Sequence, residues 1–197
     1  MEKNGHHVRF LLDPSCPWAY RASLWIREVA RNRPLTIEWR LFSLEYVNRH
    51  SADLDPVRLR KPRHAIRLLA RALETAGNGG IDALYLAIGE ARHVEKEAID
   101  DQAMLAESLA RAGLSAELLS ETREDNALDA ALEADYQRAT KSGAFGVPTL
   151  FIDGNPAPIY GPLIDVVPHG EEAIELWDHV AGLTRLPYFL ELKRNRT

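Results

Sequence analysis

The sequence predicts an α/β fold, and three observations carry that expectation. A strand-helix-strand pattern opens the chain, a strand-strand-helix pattern closes it, and the stretch between is rich in Ala, Leu, Arg and Glu without a strand pattern. One sheet covered by helices satisfies both ends. The middle block then grows out of that sheet and packs back on it as a lid. The expected division is residues 1–52 and 143–197 for the α/β part and residues 53–142 for the helical insertion.

Each element has a local reason. The apolar run at residues 8–13 stops at Pro14, which fits a strand buried on both faces of a sheet. From residue 17 to 32, Ala22, Leu24, Trp25, Val29 and Ala30 approximate helical spacing, and Pro17 stands where a first helical turn tolerates proline. Residues 35–41 alternate apolar with polar, the period-two pattern of a strand. Residues 56–141 read as four or five helices, broken at Gly77-Asn78-Gly79-Gly80, near residues 94–98 and at Gly113. Strand and turn return at residues 146–154, with Ile159-Tyr160 as a short paired neighbour. A last helix is expected over residues 170–182, with Glu171 and Glu172 at the positive end of its dipole. The basic tail at residues 193–197 reads as loose.

Composition narrows the function. With 197 residues, 46% of them hydrophobic and 27% charged, the chain can bury a core without covalent or metal staples. The net charge of -5 argues against a nucleic-acid partner, since phosphate binding normally leaves an excess of Lys and Arg. The opening residues Met1-Glu2-Lys3-Asn4-Gly5-His6-His7 are too polar for a signal peptide, and no apolar run is long enough to span a membrane, so a cytoplasmic setting is expected. His6-His7 is too short and too terminal for a metal site. The carboxylates Asp100, Asp101, Glu121, Glu124, Asp125 and Asp129 read as surface charge, and no metal is expected. The basic run Arg58, Arg60, Lys61, Arg63, Arg67 and Arg71 reads as a solvated helix face, with attraction of an anionic cosubstrate as the alternative.

Cys16 is the single cysteine, and it falls at the start of the first helix. A thiol there faces unpaired backbone N–H groups and the positive end of the helix dipole, both of which favour the thiolate. Cysteines so placed titrate from about 3.5 to 7.5 instead of about 8.5, so the nucleophilic form dominates at neutral pH, provided that the sulfur is exposed. The alternative is a small buried apolar residue. Trp18 in the first turn could cover a flat substrate or belong to the core.

Asp13-Pro14-Ser15-Cys16-Pro17-Trp18-Ala19 opening a helix, followed after a helical insertion by Gly146-Val147-Pro148-Thr149, resembles the DsbA-like branch of the thioredoxin-fold superfamily. More narrowly, the chain resembles the mycothiol-dependent nitroreductase family. The resemblance continues through Phe42-Ser43-Leu44 with Asn48, Leu84-Tyr85 with Gly89 and His93, and a carboxyl-terminal run. That run contains Gly161-Pro162, Pro168, Gly170-Glu171-Glu172-Ala173, Leu176-Trp177-Asp178, Pro187, Phe189 and Glu191-Leu192-Lys193-Arg194.

The resemblance implies a thioredoxin-like fold with a large all-helical insertion, and a cis peptide between Val147 and Pro148 facing the cysteine. It implies catalysis by Cys16, and a substrate-binding site made of Pro17, Trp18, Ala19, Asn48, His93, Val147, Pro148 and Thr149, with the Val147 backbone pairing with a bound thiol. Asn48 and His93 could equally be a cap or a satisfied polar group near the core. The cosubstrate implied is a low-molecular-weight thiol, mycothiol, and the partner an electrophilic small molecule such as a disulfide or a nitroaromatic. The chain departs from the usual redox pair at Ala19, where a second cysteine normally stands, so Cys16 would have to work as a monothiol resolved by a free thiol. Two other readings stay open. One is a thiol-dependent isomerase resembling the 2-hydroxychromene-2-carboxylate isomerases, and the other is a binding module that has kept the fold without catalysis.

Overall fold

A computed structural model describes residues 6–195. The expectations placed on Met1-Glu2-Lys3-Asn4-Gly5, and on Arg196 and Thr197 of the basic tail, lie outside the described residues.

The opening pattern folds as β1 (His6–Leu12), α1 (Pro17–Asn32) and β2 (Leu35–Leu41), with Pro17 at the first helical position. The closing pattern gives β3 (Thr149–Ile152), β4 (Ile159–Tyr160) and α8 (Gly170–Thr184). The four strands form one sheet in the order β2-β1-β3-β4. β1 runs parallel to β2 and antiparallel to β3, and β3 is antiparallel to β4. The parallel pair needs a crossover, which α1 supplies. In the register Phe10 lies opposite Trp39 on one side and Leu150 on the other, and the Phe10 and Trp39 rings meet edge to face at 5.1 Å. The ring pair holds the centre of the sheet under α1.

Between β2 and β3 come α2 (Leu44–Asn48), α3 (Pro56–Arg60), α4 (Arg63–His93), α5 (Gln102–Arg111), α6 (Leu118–Glu121) and α7 (Asn126–Lys141). The main hydrophobic core runs unbroken from the sheet (Val8, Phe10, Trp39) into this helical region (Leu69, Leu84, Leu105). The indole of Trp25 donates to the Ala173 carbonyl at 3.0 Å and ties α1 to α8. Among the described residues no helix is long and apolar enough to cross a membrane.

The break expected at Gly77-Asn78-Gly79-Gly80 is present: α4 is two helices that meet at Gly77, whose non-helical φ of 65° only glycine adopts cheaply. The kink turns Asn78 onto the open edge of the sheet, where it accepts from the Trp39 N–H at 2.8 Å and donates to the Ile37 carbonyl at 2.9 Å. The side chain thus pairs the edge of β2 as a neighbouring strand would. Two expectations are corrected, the first being the basic run, which is not a plain solvated face. Arg67 is buried and grips Asp129 with two bonds of 2.7 and 2.6 Å, Arg71 pairs with Asp125, and Arg63 reaches Glu45. Asp125 and Asp129 are accordingly not free surface charge. They pin α7 to α4, and Asp125 also caps α7. Arg58 and Arg60 alone of the run have no side-chain partner among the described residues.

Candidate active site

Residues 13–16 form the turn that delivers the sulfur. The Cys16 N–H donates to the Asp13 carbonyl at 3.1 Å, with Pro14 second in the turn, where its fixed φ fits. The Asp13 side chain is 1% exposed, and its Oδ1 accepts from the Ser15 N–H at 2.8 Å and the Ser15 hydroxyl at 2.5 Å. Its Oδ2 accepts from the Leu44 N–H at 2.7 Å. One carboxyl group therefore fastens the cysteine turn to the first turn of α2. Burial pushes this carboxyl above the ordinary range, and the three donors pull it back part of the way.

Cys16 is the N-cap of α1. Its backbone is extended, and its Sγ accepts from the Ala19 N–H at 3.4 Å, as a hydroxyl or carboxylate oxygen does at other helix starts. On its other side Sγ donates to the Val147 carbonyl at 3.5 Å, and the Val147–Pro148 peptide is cis. Chain segments 131 residues apart in sequence thus meet at the sulfur. The amide and the helix dipole favour the thiolate, whereas donation to the carbonyl and the apolar neighbours Leu11, Phe42, Ala144 and Val147 favour the thiol. Cys16 is 6% exposed, so access to it is narrower than a helix end by itself suggests.

The other expected site residues divide. Pro17 is exposed, and Trp18 is half-buried with the Arg21 guanidinium over its ring at 5.1 Å. Ala19 is wholly buried beside Cys16 and contributes its N–H. Thr149 turns inward, its hydroxyl donating to the Gly146 carbonyl at 2.7 Å. Asn48 donates to the Leu44 carbonyl at 2.8 Å and, with Ser15, Leu44, Glu45, Arg58 and Arg92, lines a cavity of about 370 Å³. That cavity reaches the cysteine turn through Ser15. Sequence reasoning places Asp13 and Ser15 in the motif without a role and passes over Arg92, although Asp-Pro-Ser is a turn signature in which the Asp side chain bonds its own backbone two residues on.

His93 supports the turn from behind. Its Nε2–H donates to the Pro14 carbonyl at 2.9 Å, and its ring stacks on Tyr20 at 5.1 Å. Tyr20 in turn lies so close to Gly89 that a Cβ there would sit 2.3 Å from the phenol ring, and this contact requires glycine. Burial pushes the His93 imidazole down to about 4, against the opposing pull of the Pro14 bond, so at neutral pH the ring is uncharged. The unfolded chain takes up this proton near pH 6.5, so the fold loses stability as pH falls from about 6.5 to 4 and keeps it above. In chemical denaturation the wild type should lose about 1–3 kcal/mol more than His93→Gln between pH 7 and pH 4. Parallel pH curves would contradict this role.

The site can present one nucleophilic sulfur, with a backbone amide on one side and a carbonyl beside a cis-proline on the other. Among the described residues, no group of three His, Cys, Asp or Glu side chains could hold a metal ion.

The chain is similar to Uncharacterized protein Rv2286c of Mycobacterium tuberculosis, at 34% identity over 191 residues, covering 96% of this chain and 82% of the relative. Its fold is similar to that of the probable DsbA oxidoreductase SCO1869 from Streptomyces coelicolor, with a TM-score of 0.62 at 20% identity over 95% of this chain and 94% of the other. It is equally similar to a 2-hydroxychromene-2-carboxylate isomerase, with a TM-score of 0.62 at 17% identity over 89% and 94%. These likenesses establish the thioredoxin-like, DsbA-like α/β fold. Residues 15–194 match the family model described as Rv2466c-like, mycothiol-dependent nitroreductase Rv2466c, and the chain belongs to that family.

Proposed function

We propose that the protein is a thiol-dependent oxidoreductase in which Cys16 is the lone nucleophile and a low-molecular-weight thiol, mycothiol, is the reductant. The placement of Cys16 Sγ between the Ala19 N–H and the Val147 carbonyl carries this reading, and the family membership supports it. The Cys16 thiolate attacks one sulfur of a disulfide substrate. The S–S bond breaks, the distal half leaves as a thiolate, and Cys16 is held in a mixed disulfide. A free thiol then attacks that mixed disulfide and releases the Cys16 thiolate, and a second free thiol completes the two-electron reduction. No second cysteine stands at Ala19 to resolve the intermediate within the chain, so the resolving thiol comes from solution. An electrophile of the nitroaromatic type would draw the same two electrons from two thiols.

The cavity beside Ser15 is the seat we assign to the small-molecule partner, with Asn48 on its wall and the half-buried Trp18 beside the sulfur. Pro17, Ala19, His93, Pro148 and Thr149 act by holding the turn and the facing loop in place. The Val147 backbone would pair with the bound thiol once Cys16 Sγ releases its carbonyl.

Incubation with mycothiol disulfide should add one mycothiol to the intact mass, removable by excess thiol and mapping to Cys16. No adduct under conditions that alkylate Cys16 would end the proposal. The lone sulfur at Cys16 also suits a second reading, a thiol-dependent isomerase in which a bound thiol adds to the substrate and is regenerated. Substrate turnover without consumption of thiol would select it.

A further inference from the structure

We infer that the cavity beside the cysteine turn seats an anionic substrate, a disulfide or electrophile bearing a carboxylate or a comparable acidic group, on Arg58 and Arg92. This inference rests on Cys16 being the nucleophile and adds the chemical class of the molecule it attacks. The chain carries a net charge of -5, yet Arg58, Lys61 and Arg92 all line this cavity. The carboxylates in the wall are already engaged. Glu45 is taken by Arg63 from outside the cavity, and Asp55 accepts from the Val57 N–H at 2.9 Å as the N-cap of α3. Lys61 is paired with Asp100 at 3.2 Å.

Neither guanidinium group in the wall is ion-paired with a carboxylate among the described residues. Arg58 has no side-chain partner among the described residues. Arg92 donates through Nη1 to the Glu97 carbonyl at 3.1 Å, while its buried Nε has no hydrogen-bond partner. A buried guanidinium donor without an acceptor is rare in a folded protein, so Arg92 stands in the wall with hydrogen-bonding capacity and charge that the chain leaves unmatched. Carboxylate and guanidinium match in shape as well as charge. An uncharged ligand would leave both groups as they are. Ser15 lies in the same wall and directly precedes Cys16, so an anion seated on the two arginines shares its cavity with the turn that carries the sulfur.

Two aromatic disulfides test the assignment, the dianionic 5,5′-dithiobis(2-nitrobenzoate) and the neutral 4,4′-dithiodipyridine. In either reaction the Cys16 thiolate takes one sulfur into a mixed disulfide, the probe S–S bond breaks, and one aryl thiolate leaves with the electron pair and is read optically. Cys16 is the only cysteine, so the signal belongs to it. The ratio of the anionic to the neutral rate should fall about fivefold in Arg58→Gln and further when Arg92→Gln is added, and in the wild type it should fall with added salt. Arg60→Gln is the control. It removes the same charge from α3, but Arg60 lines a different cavity, so the ratio should fall by far less. An unchanged ratio in Arg58→Gln, or an equal fall in Arg60→Gln, would overturn the inference while leaving Cys16 as nucleophile. Failure of Cys16 to react with either probe would remove the nucleophile and this inference with it.

Discussion

Cys16→Ser should lower thiol-dependent turnover by about 10³-fold or more while leaving the fold intact. The two halves of this expectation come from one geometry. Serine is a better N-cap than cysteine, and its oxygen can accept from the Ala19 N–H as the sulfur does, so α1 keeps its first turn. An alkoxide is far harder to form than a thiolate, and an oxygen cannot enter the mixed disulfide on which the proposed cycle turns. Unfolding free energies within about 1 kcal/mol of wild type, with turnover lost, fit the account. Turnover within tenfold of wild type in Cys16→Ser would move the chemistry elsewhere.

Asp13→Ala should cost about 2–4 kcal/mol and slow the Cys16 reaction together. The substitution strips the acceptor from the Ser15 N–H, the Ser15 hydroxyl and the Leu44 N–H, and an orphaned donor costs about 1–3 kcal/mol where water cannot reach it. The loss is partly offset, because the carboxyl group no longer has to be kept out of water. Asp13→Asn should be milder in stability, since an amide oxygen still accepts from Ser15. Its NH2 group then faces the Leu44 N–H, two donors opposed, so the link to α2 is broken in either variant. Alkylation kinetics beside urea denaturation measure both effects, and wild-type values in both would show that Asp13 does not position the turn.

The parts of the fold governed by nearest neighbours were legible in the sequence. The strand pattern at residues 35–41 and the helix from Pro17 to Asn32 were found at their bounds, because alternation, helical spacing and a proline at the first turn are local signals. The short α2 was missed because five residues are too few for periodicity, although Ser43 capping the Glu45 N–H is a helix start in miniature. The break at Gly77 is legible from its glycines, whereas the use it serves is not, because the donor and acceptor that Asn78 meets lie on β2, some forty residues away. The Arg67–Asp129 grip spans 62 residues, and no local rule connects them. The cis peptide at Gly161–Pro162 was likewise not anticipated.

The same division runs through the site. Cys16 at a helix start follows from the sequence alone, whereas its meeting with Val147 needed the family resemblance, since the two lie at opposite ends of the insertion. The engagement of His93 with the Pro14 carbonyl and the reach of Asp13 to Leu44 are tertiary facts, and they make supports of residues that look from the sequence like ligands or turn formers.

The central claim is that the start of α1 holds Cys16 as a thiolate, and its most direct measurement is the pH dependence of alkylation of this single thiol by iodoacetamide. The rate should reach its plateau well below pH 8.5, the value of an ordinary cysteine, because the Ala19 amide and the helix dipole outweigh the Val147 carbonyl and the apolar surroundings. A titration at or above about 8.5 would mean that burial wins and that Cys16 is a core residue at a helix end.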